Sequence, residues 1–378
     1  MRNTFSLTNA ILVLADRVLE DSVLIVEDGC IKTYGSIVPR GREINCNGAM
    51  ILPGLVDLHG DALEKEIEPR PGVYFPIEMA MRQIDLRCAC NGITTAFHAI
   101  SFAGDELGIR NPAMAEEIVN SLHKHARDLR ADHRLHCRYE ITDVESLGRV
   151  RSLVESRSVS LLSFMDHTPG QGQFRSVESY HNFLKKTYST DASALEEMTR
   201  RKQDAGKGSF ERITTMSESA REAGVCLASH DDDCIEKINA LHEQGVRISE
   251  FPINLETALH ARDKGWSAMV GAPNLMRGKS SGNGLSAEEG LRHGVADILV
   301  SDYSPAAMLP ALFRAVDIGL MDLPTAVSLA SRNPARAVGL DDRGEIKEGL
   351  RADLIAVRWA NTLPIVENVW KEGVLTCS

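Results

Sequence analysis

Short apolar runs broken by turn residues fill the first fifty positions, and this pattern predicts strands rather than helices. Runs at 4–7, 10–14, 23–26 and 30–33 are separated by turns such as Glu27-Asp28-Gly29. Runs of this length bounded by Gly and Asp read as a small antiparallel sheet. The C-terminus repeats the style. Gly344-Glu345-Ile346-Lys347-Glu348-Gly349 leads into an apolar run at 352–357, and 366–375 carries a strand pair around Glu372-Gly373. An isolated hairpin is marginally stable. Residues 1–52 and 343–378 are therefore expected to pair as one small β-sandwich domain.

Between the termini the pattern changes. Strand-length apolar runs at 51–58, 94–100, 135–141, 159–165, 224–229, 246–252, 268–271 and 298–301 alternate with helix-like segments such as 114–129 and 286–293. Eight β units in this order predict an α/β fold, a TIM-like (β/α)8 barrel over residues 53–342; a doubly wound open sheet is the alternative. The polar stretch 174–212 is too long for an ordinary loop and reads as a helical excursion near the barrel mouth, a candidate lid.

Composition narrows the function classes. The chain has 378 residues, enough for one large domain and a small one, and 43% are apolar, so a sizeable core can be buried. The net charge is −11 and no long basic run occurs, which excludes sequence-independent nucleic-acid binding. Acidity overall still permits an anionic substrate, because a few nearby cations dominate at short range. No segment approaches the ~18–20 apolar residues of a membrane helix. The run from Ala10 to Ala15 is cut off by Asp16 and Arg17, too short for a signal-peptide core. The eight cysteines are scattered without a C-x-x-C pair, which reads as reduced thiols in a cytoplasmic protein and not as a zinc finger.

The chemistry is suggested by where His and acidic residues fall. They sit at or just past the predicted strand ends: His59 and Asp61, Glu140, His167, His230 and Asp302. In a barrel those ends converge on one mouth. His59 and Asp61 are two apart, so on an extended chain both side chains face the same way and can share a metal. Imidazole and carboxylate suit zinc, and also manganese or iron. Glu140 can bridge two cations; its structural alternative is an ion pair with Arg138 or Arg134. His167 and His230 would hold the second ion. Asp302 can bind metal and take the proton of an attacking water; its structural alternative is a helix N-cap before Pro305. One of Asp231, Asp232 and Asp233 is expected to orient a ligand histidine, and the others to be a solvated helix start. His136 reads as no more than a residue behind the ligands, and the remaining histidines as structural or solvated.

A second constellation is cationic. Lys65 and Arg70 follow the first motif, and Arg277-Gly278-Lys279-Ser280-Ser281-Gly282-Asn283 follows the seventh strand, with Gln171 in a glycine turn after His167. Charge, hydroxyl donors and close backbone approach are what phosphate binding needs. The alternative is a flexible loop with exposed cations.

Leu52-Pro53-Gly54-Leu55-Val56-Asp57-Leu58-His59 resembles the opening of the amidohydrolase superfamily. The chain is more specifically similar to its PhnM-like diphosphatases of phosphonate catabolism. This likeness rests on His59-Gly60-Asp61 with Lys65 and Pro69-Arg70-Pro71, Gly92-Ile93-Thr94-Thr95, His133-Arg134-Leu135-His136, Met165-Asp166-His167-Thr168-Pro169-Gly170-Gln171, Ala228-Ser229-His230-Asp231-Asp232, Glu250-Phe251-Pro252, Gly271-Ala272-Pro273-Asn274, Ser281-Gly282-Asn283 and Ser301-Asp302-Tyr303, in order from end to end. The resemblance implies a barrel with a small β-sandwich and two divalent metals. The reaction implied is hydrolysis of the triphosphate arm of α-D-ribose 1-methylphosphonate 5-triphosphate to release diphosphate, alongside the carbon–phosphorus lyase proteins. A homodimer is the default assembly. The loop Arg277–Asn283 is shorter by one residue than the family's and lacks its histidine, and Ala62 stands where the family often has Asn. These departures bear on the substrate and leave open a paralogue that hydrolyses a C–N bond of a cyclic amide, N-acyl or amidine compound. A non-catalytic binding role is the third reading, and it predicts no bound metal or metal without turnover.

Overall fold

The computed structural model describes residues 4–70, 72–103, 111–168, 192–280, 284–360 and 363–378. Along the chain, β1 (Thr4–Val13), β2 (Val18–Glu27), β3 (Cys30–Gly35), β4 (Arg42–Asn45) and β5 (Met50–Pro53) open a first sheet. Then β6 (Leu55–Gly60), β7 (Ile93–Phe102), β8 (Asp132–Glu140), β9 (Leu161–Met165), β10 (Cys226–His230), β11 (Ile248–Glu250), β12 (Ser267–Gly271) and β13 (Ile298–Val300) build a second. The chain returns to the first with β14 (Leu354–Ala360), β15 (Leu363–Lys371) and β16 (Val374–Cys377).

In the second sheet every neighbouring pair from β6 to β13 is parallel and in sequence order. A parallel bridge between Gly60 and Asp302 links the last strand's end to the first and closes the ring. Helices occupy the crossovers, as parallel pairing requires. Several carry side-chain N-caps: Asn111 accepts from Met114 N, Asn254 from Thr257 N and Ser286 from Glu289 N. The segment expected as one helix at 114–129 is a helix over Pro112–His125 followed by a 3-10 turn over Ala126–Asp128. Of the excursion at 174–212, residues 192–206 and 209–212 are helical and the portion up to 191 lies outside the described residues.

The barrel interior is filled by Val56, Leu58, Phe97, Leu161, Met269 and Val300. Outward strand residues such as Ile100, Leu135, Tyr139 and Phe164 pack against helix residues such as Leu309 and Phe313 in one core. Each such fully buried side chain contributes about 1.5–3 kcal/mol. The first sheet has its own core around Phe5, Leu7, Leu24, Ile31 and Trp370. It is mixed rather than antiparallel, because β1 runs parallel to both β4 and β5.

The run expected as one strand at 51–58 is two strands in two sheets. β5 pairs with β14 and β6 pairs with β7. The break is at Gly54, where a Cβ would fall 2.2 Å from Thr94 Oγ1. Only a residue without a side chain lets the chain pass so close to β7. Arg343 ties the sheets again from the C-terminal side, donating to Thr95 Oγ1 at 2.9 Å and Asp132 Oδ2 at 2.6 Å at the floor of the barrel. Among the described residues, no helix is long and apolar enough to cross a membrane.

Candidate metal centre

The mouth is built from residues that alternate along strands. On β8, Leu135, Cys137 and Tyr139 face the helix layer. Their neighbours turn inward: Arg134 lies over the Phe97 ring, His136 meets Glu250, Arg138 reaches Asp61 and Glu140 meets His167. A period of two in a fully buried strand gives one apolar and one polar face.

His59, near the end of β6, is 1% exposed and has a carboxylate on each flank. Its Nε2 is 3.4 Å from Asp61 Oδ1 and its Nδ1 is 3.3 Å from Glu250 Oε2. Burial alone would push this imidazole down, but Asp61 and Glu250 outweigh it and bring it up to about 10. The place favours positive charge, a proton on the ring or a cation beside it. His136 stands edge-on to His59 with ring centroids 5.1 Å apart. Together with Glu250 these two histidines form one group whose ligand atoms all lie within 4.8 Å of one another.

His167, His230 and Asp231 form a second such group nearer the solvent. His230 ends β10; its Nδ1 is 3.2 Å from Asp231 Oδ2 and its ring is 6.1 Å from His59 and 6.3 Å from His167. His167 Nδ1 is 2.8 Å from Glu140 Oε2. Burial would raise Glu140, but His167, Lys202 and Thr142 outweigh it and hold the carboxylate down at about 2. The alternative of an ion pair from Glu140 to Arg138 or Arg134 is not what forms, since Arg138 turns to Asp61 and His230, and Arg134 to Asp132.

The acidic run needs correction. Two of the three acids were expected to form a solvated helix start, yet Asp232 is 0% exposed. It accepts from Ser229 Oγ and Ser249 Oγ, each at 2.5 Å, and pairs with Lys237 at 3.0 Å. Lys237 in turn donates to the His230 carbonyl at 2.7 Å. The run precedes the helix Ile235–Glu243 and fixes the end of β10 from beneath.

Asp302 lies two residues beyond β13, and Ser304, not Asp302, occupies the N-cap position of the 3-10 turn at Pro305–Ala307, without a side-chain cap bond. Its N–H donates to the His59 carbonyl at 2.9 Å and its carbonyl accepts from Asp61 N–H at 2.8 Å. Burial, with Asp61 and Asp57 adding to it, pushes the Asp302 carboxyl up to about 6 against His59 and Arg138. Asp231, Phe251 and Asp302, each just past a strand end, have φ of 52°, 55° and 53°. Asp tolerates this region; a bulky Phe there is a strained conformation costing on the order of 1–3 kcal/mol. It brings the Phe251 ring edge-on to His59 at 5.0 Å and to His230 at 5.6 Å.

Of the expected phosphate-side residues, Arg277 is exposed at the end of the helix Ala272–Arg277 and its Nη1 is 3.4 Å from Tyr303 Oη, beside Asp302. Lys65 and Arg70 are exposed on and just after the helix Ala62–Ile67. Gln171, Ser281 and Asn283 lie outside the described residues.

Three groups at the mouth were not singled out from sequence as ligating: His136, Glu250 and Asp231. The signal for His136 was the inward parity of Arg134, Arg138 and Glu140. Glu250 is an acid inside a short apolar run. The donor set fits divalent cations: imidazoles and carboxylates converge, and buried Glu140 Oε2 and His230 Nδ1, though close to neighbours, make no hydrogen bond of good geometry among the described residues.

Comparison with known proteins identifies the family. The model of the amidohydrolase family matches residues 173–377. The chain is 35% identical over 373 residues, 97% of its length and 98% of the relative's, to the α-D-ribose 1-methylphosphonate 5-triphosphate diphosphatase of Escherichia coli (strain K12). Among solved structures, it is similar to a Xaa-Pro dipeptidase with bound methionine in its active site (TM-score 0.68, 14% identity, 99% of each chain covered). It is also similar to N-acetyl-D-glucosamine-6-phosphate deacetylase from Mycobacterium smegmatis (TM-score 0.65, 17% identity, 98% of this chain and 99% of that one). These structures share its fold, a (β/α)8 barrel with a small β-sandwich formed by both termini. By its family match and its end-to-end likeness to the diphosphatase, the chain belongs to the amidohydrolase family of hydrolases.

Proposed function

We propose that this protein is a metal-dependent diphosphatase that hydrolyses the triphosphate arm of α-D-ribose 1-methylphosphonate 5-triphosphate, releasing diphosphate in phosphonate catabolism. The observation that carries the reading is the 35% identity to the E. coli diphosphatase over 97% of the chain. The polar cluster at the barrel mouth supports it.

In this reading His59, Asp61, Glu140, His167, His230 and Asp302 hold two divalent cations, zinc being the natural fit to the donor set and manganese or iron also admitted. When bound, such cations acidify water and neutralise charge on phosphoryl oxygens. Asp302 takes a proton from the attacking water at a carboxylate oxygen, its backbone locked to His59 and Asp61 so that the carboxyl cannot drift. Lys65, Arg70 and Arg277, with Gln171, Ser281 and Asn283, bind the phosphate chain and offset the charge that grows on the leaving diphosphate.

The test is a substrate screen of the purified full-length protein loaded with zinc or manganese. Diphosphate release from α-D-ribose 1-methylphosphonate 5-triphosphate, abolished by a chelator, is the expected result. Turnover of an imide, N-acyl or amidine compound with none on the triphosphate would overturn the reading and assign a C–N hydrolase.

A further inference from the structure

The buried group of His59, His136 and Glu250 has the composition of a third cation site, but its hydrogen-bond logic points elsewhere. His136 is 0% exposed, and its ring is held on both sides: Nδ1 is 3.0 Å from the Leu58 carbonyl, which only accepts. Nε2 is 3.1 Å from Ser163 Oγ and 3.0 Å from Glu250 Oε1. The last contact is an ion-pair distance whose angle falls outside a good hydrogen bond. Neither ring nitrogen therefore has a free direction for a metal. Glu250 is also 0% exposed, and its second oxygen is 3.3 Å from His59 Nδ1. A carboxylate can only accept here, so Nδ1 carries a proton, and Nε2, whose own proton a bound cation would replace, is the nitrogen left to offer a lone pair. That lone pair faces Asp61 Oδ1 at 3.4 Å, and two electron-rich atoms converging in this way define a position for a shared cation.

We propose that Glu250, packed against His136, is a positioning residue that fixes the tautomer and ring plane of His59 so that Nε2 is presented with Asp61 to one cation, and that it binds no ion itself. This rests on the assignment of His59 and Asp61 as ligands in the proposed function. A carboxylate behind a ligand imidazole raises its basicity and removes its rotational freedom, and losing one typically lowers metal affinity about 10–100-fold. The sequence of β11 is consistent with this role. Glu250 ends a three-residue strand, and the strained Phe251 that follows packs against the same imidazole from another side.

The experiment is a titration of the full-length protein with Zn(II) against a chromophoric chelator, with no substrate present, together with 15N NMR of histidine-labelled protein. In Glu250→Gln, whose amide oxygen can still accept from Nδ1–H, the number of ions bound per chain is expected to stay the same. Affinity should fall about 10–100-fold, and the His59 Nδ1–H signature should persist. In Glu250→Leu affinity should fall further and that signature should be lost. His136→Gln should weaken binding through the same route, so His136→Gln/Glu250→Gln should bind as Glu250→Gln does and not more weakly. Should Glu250→Leu not fold, the two Gln variants decide alone. Loss of one ion per chain in Glu250→Gln would make Glu250 a ligand and overturn the proposal. Unchanged affinity in that variant, or additive losses in the double variant, would also overturn it. None of these readouts involves phosphate hydrolysis, so a failed substrate screen leaves them standing.

Discussion

The backbone of Asp302 brackets the first candidate ligand pair: its N–H donates to the His59 carbonyl at 2.9 Å and its carbonyl accepts from Asp61 N–H at 2.8 Å. The same two bonds close the barrel, so the placement of the candidate ligands and the ring closure are one feature. Asp302→Asn keeps these backbone bonds and the side-chain volume while removing the anionic carboxylate. The expected result is a fall of about 10²–10⁴ in kcat for the phosphoanhydride substrate with little change in Tm. Steady-state kinetics and a thermal melt check it; unchanged kcat would remove Asp302 from the chemistry.

His230 links the two groups of ligand atoms, its ring 6.1 Å from His59 and 6.3 Å from His167. Because Lys237 and Asp232 hold its backbone, truncating its side chain should not unfold β10. His230→Ala is therefore expected to keep a native circular dichroism spectrum and lose bound divalent metal. Elemental analysis of the purified variant against the wild type measures this. Equal metal content would separate His230 from the cation sites.

Arg277 projects beside Asp302 through its contact with Tyr303 Oη at 3.4 Å. In the proposed function this cation acts on binding and on leaving-group charge. Arg277→Ala is expected to lower kcat/KM for the triphosphate by about 10–100-fold, the range of one hydrogen bond to a charged group at ~1.5–3 kcal/mol. Arg277→Lys should restore only part of it, because an ammonium lacks the planar fork. An effect of equal size on a neutral substrate would point to a structural role.

How much of this is legible in the sequence follows from the physics of strands. A parallel strand buried on both faces reads as a short apolar run, so a polar residue at its end stands out, and that brought His59, Glu140, His167, His230 and Asp302 into view. The same logic hid Glu250, because β11 is three residues long and an acid inside it looks like the start of a loop. His136 was hidden because side-chain parity shows only once the strand is known to be buried on both faces. The run at 51–58 read as one strand because nothing local distinguishes a glycine that interrupts a strand from one that passes close to Thr94. Asp232 looked like surface because three successive acids usually are. Its two serine donors lie on separate strands, and only the fold brings them to it.

A chain of buried groups behind the barrel wall gives the fold a pH dependence separate from the mouth. His98 Nε2 is 2.7 Å from His133 Nδ1, and His133 Nε2 is 3.0 Å from Asp85 Oδ1. With Asp85 accepting from His133 Nε2–H, the His133 Nδ1 can accept from His98 Nε2–H. Burial first, and His133 beside it second, hold the His98 imidazole well below its ordinary 6.5. In the unfolded chain His98 would take up a proton near 6.5, while in the native barrel it does not. Below that pH the unfolded state binds more protons, and stability falls as pH drops toward the lower native value, by at most about 1.36 kcal/mol per pH unit for one group. His98→Gln keeps a donor for His133 and cannot titrate. Urea unfolding of chelator-treated protein between pH 7.5 and 5.5 should show a shallower loss of stability in His98→Gln than in the wild type. Other groups set the slope that remains: burial holds His136 and His230 below the ordinary value, while His59, brought up to about 10, acts in the opposite direction. Identical slopes in the two proteins would mean that His98 takes up a proton in the native barrel as readily as in the unfolded chain.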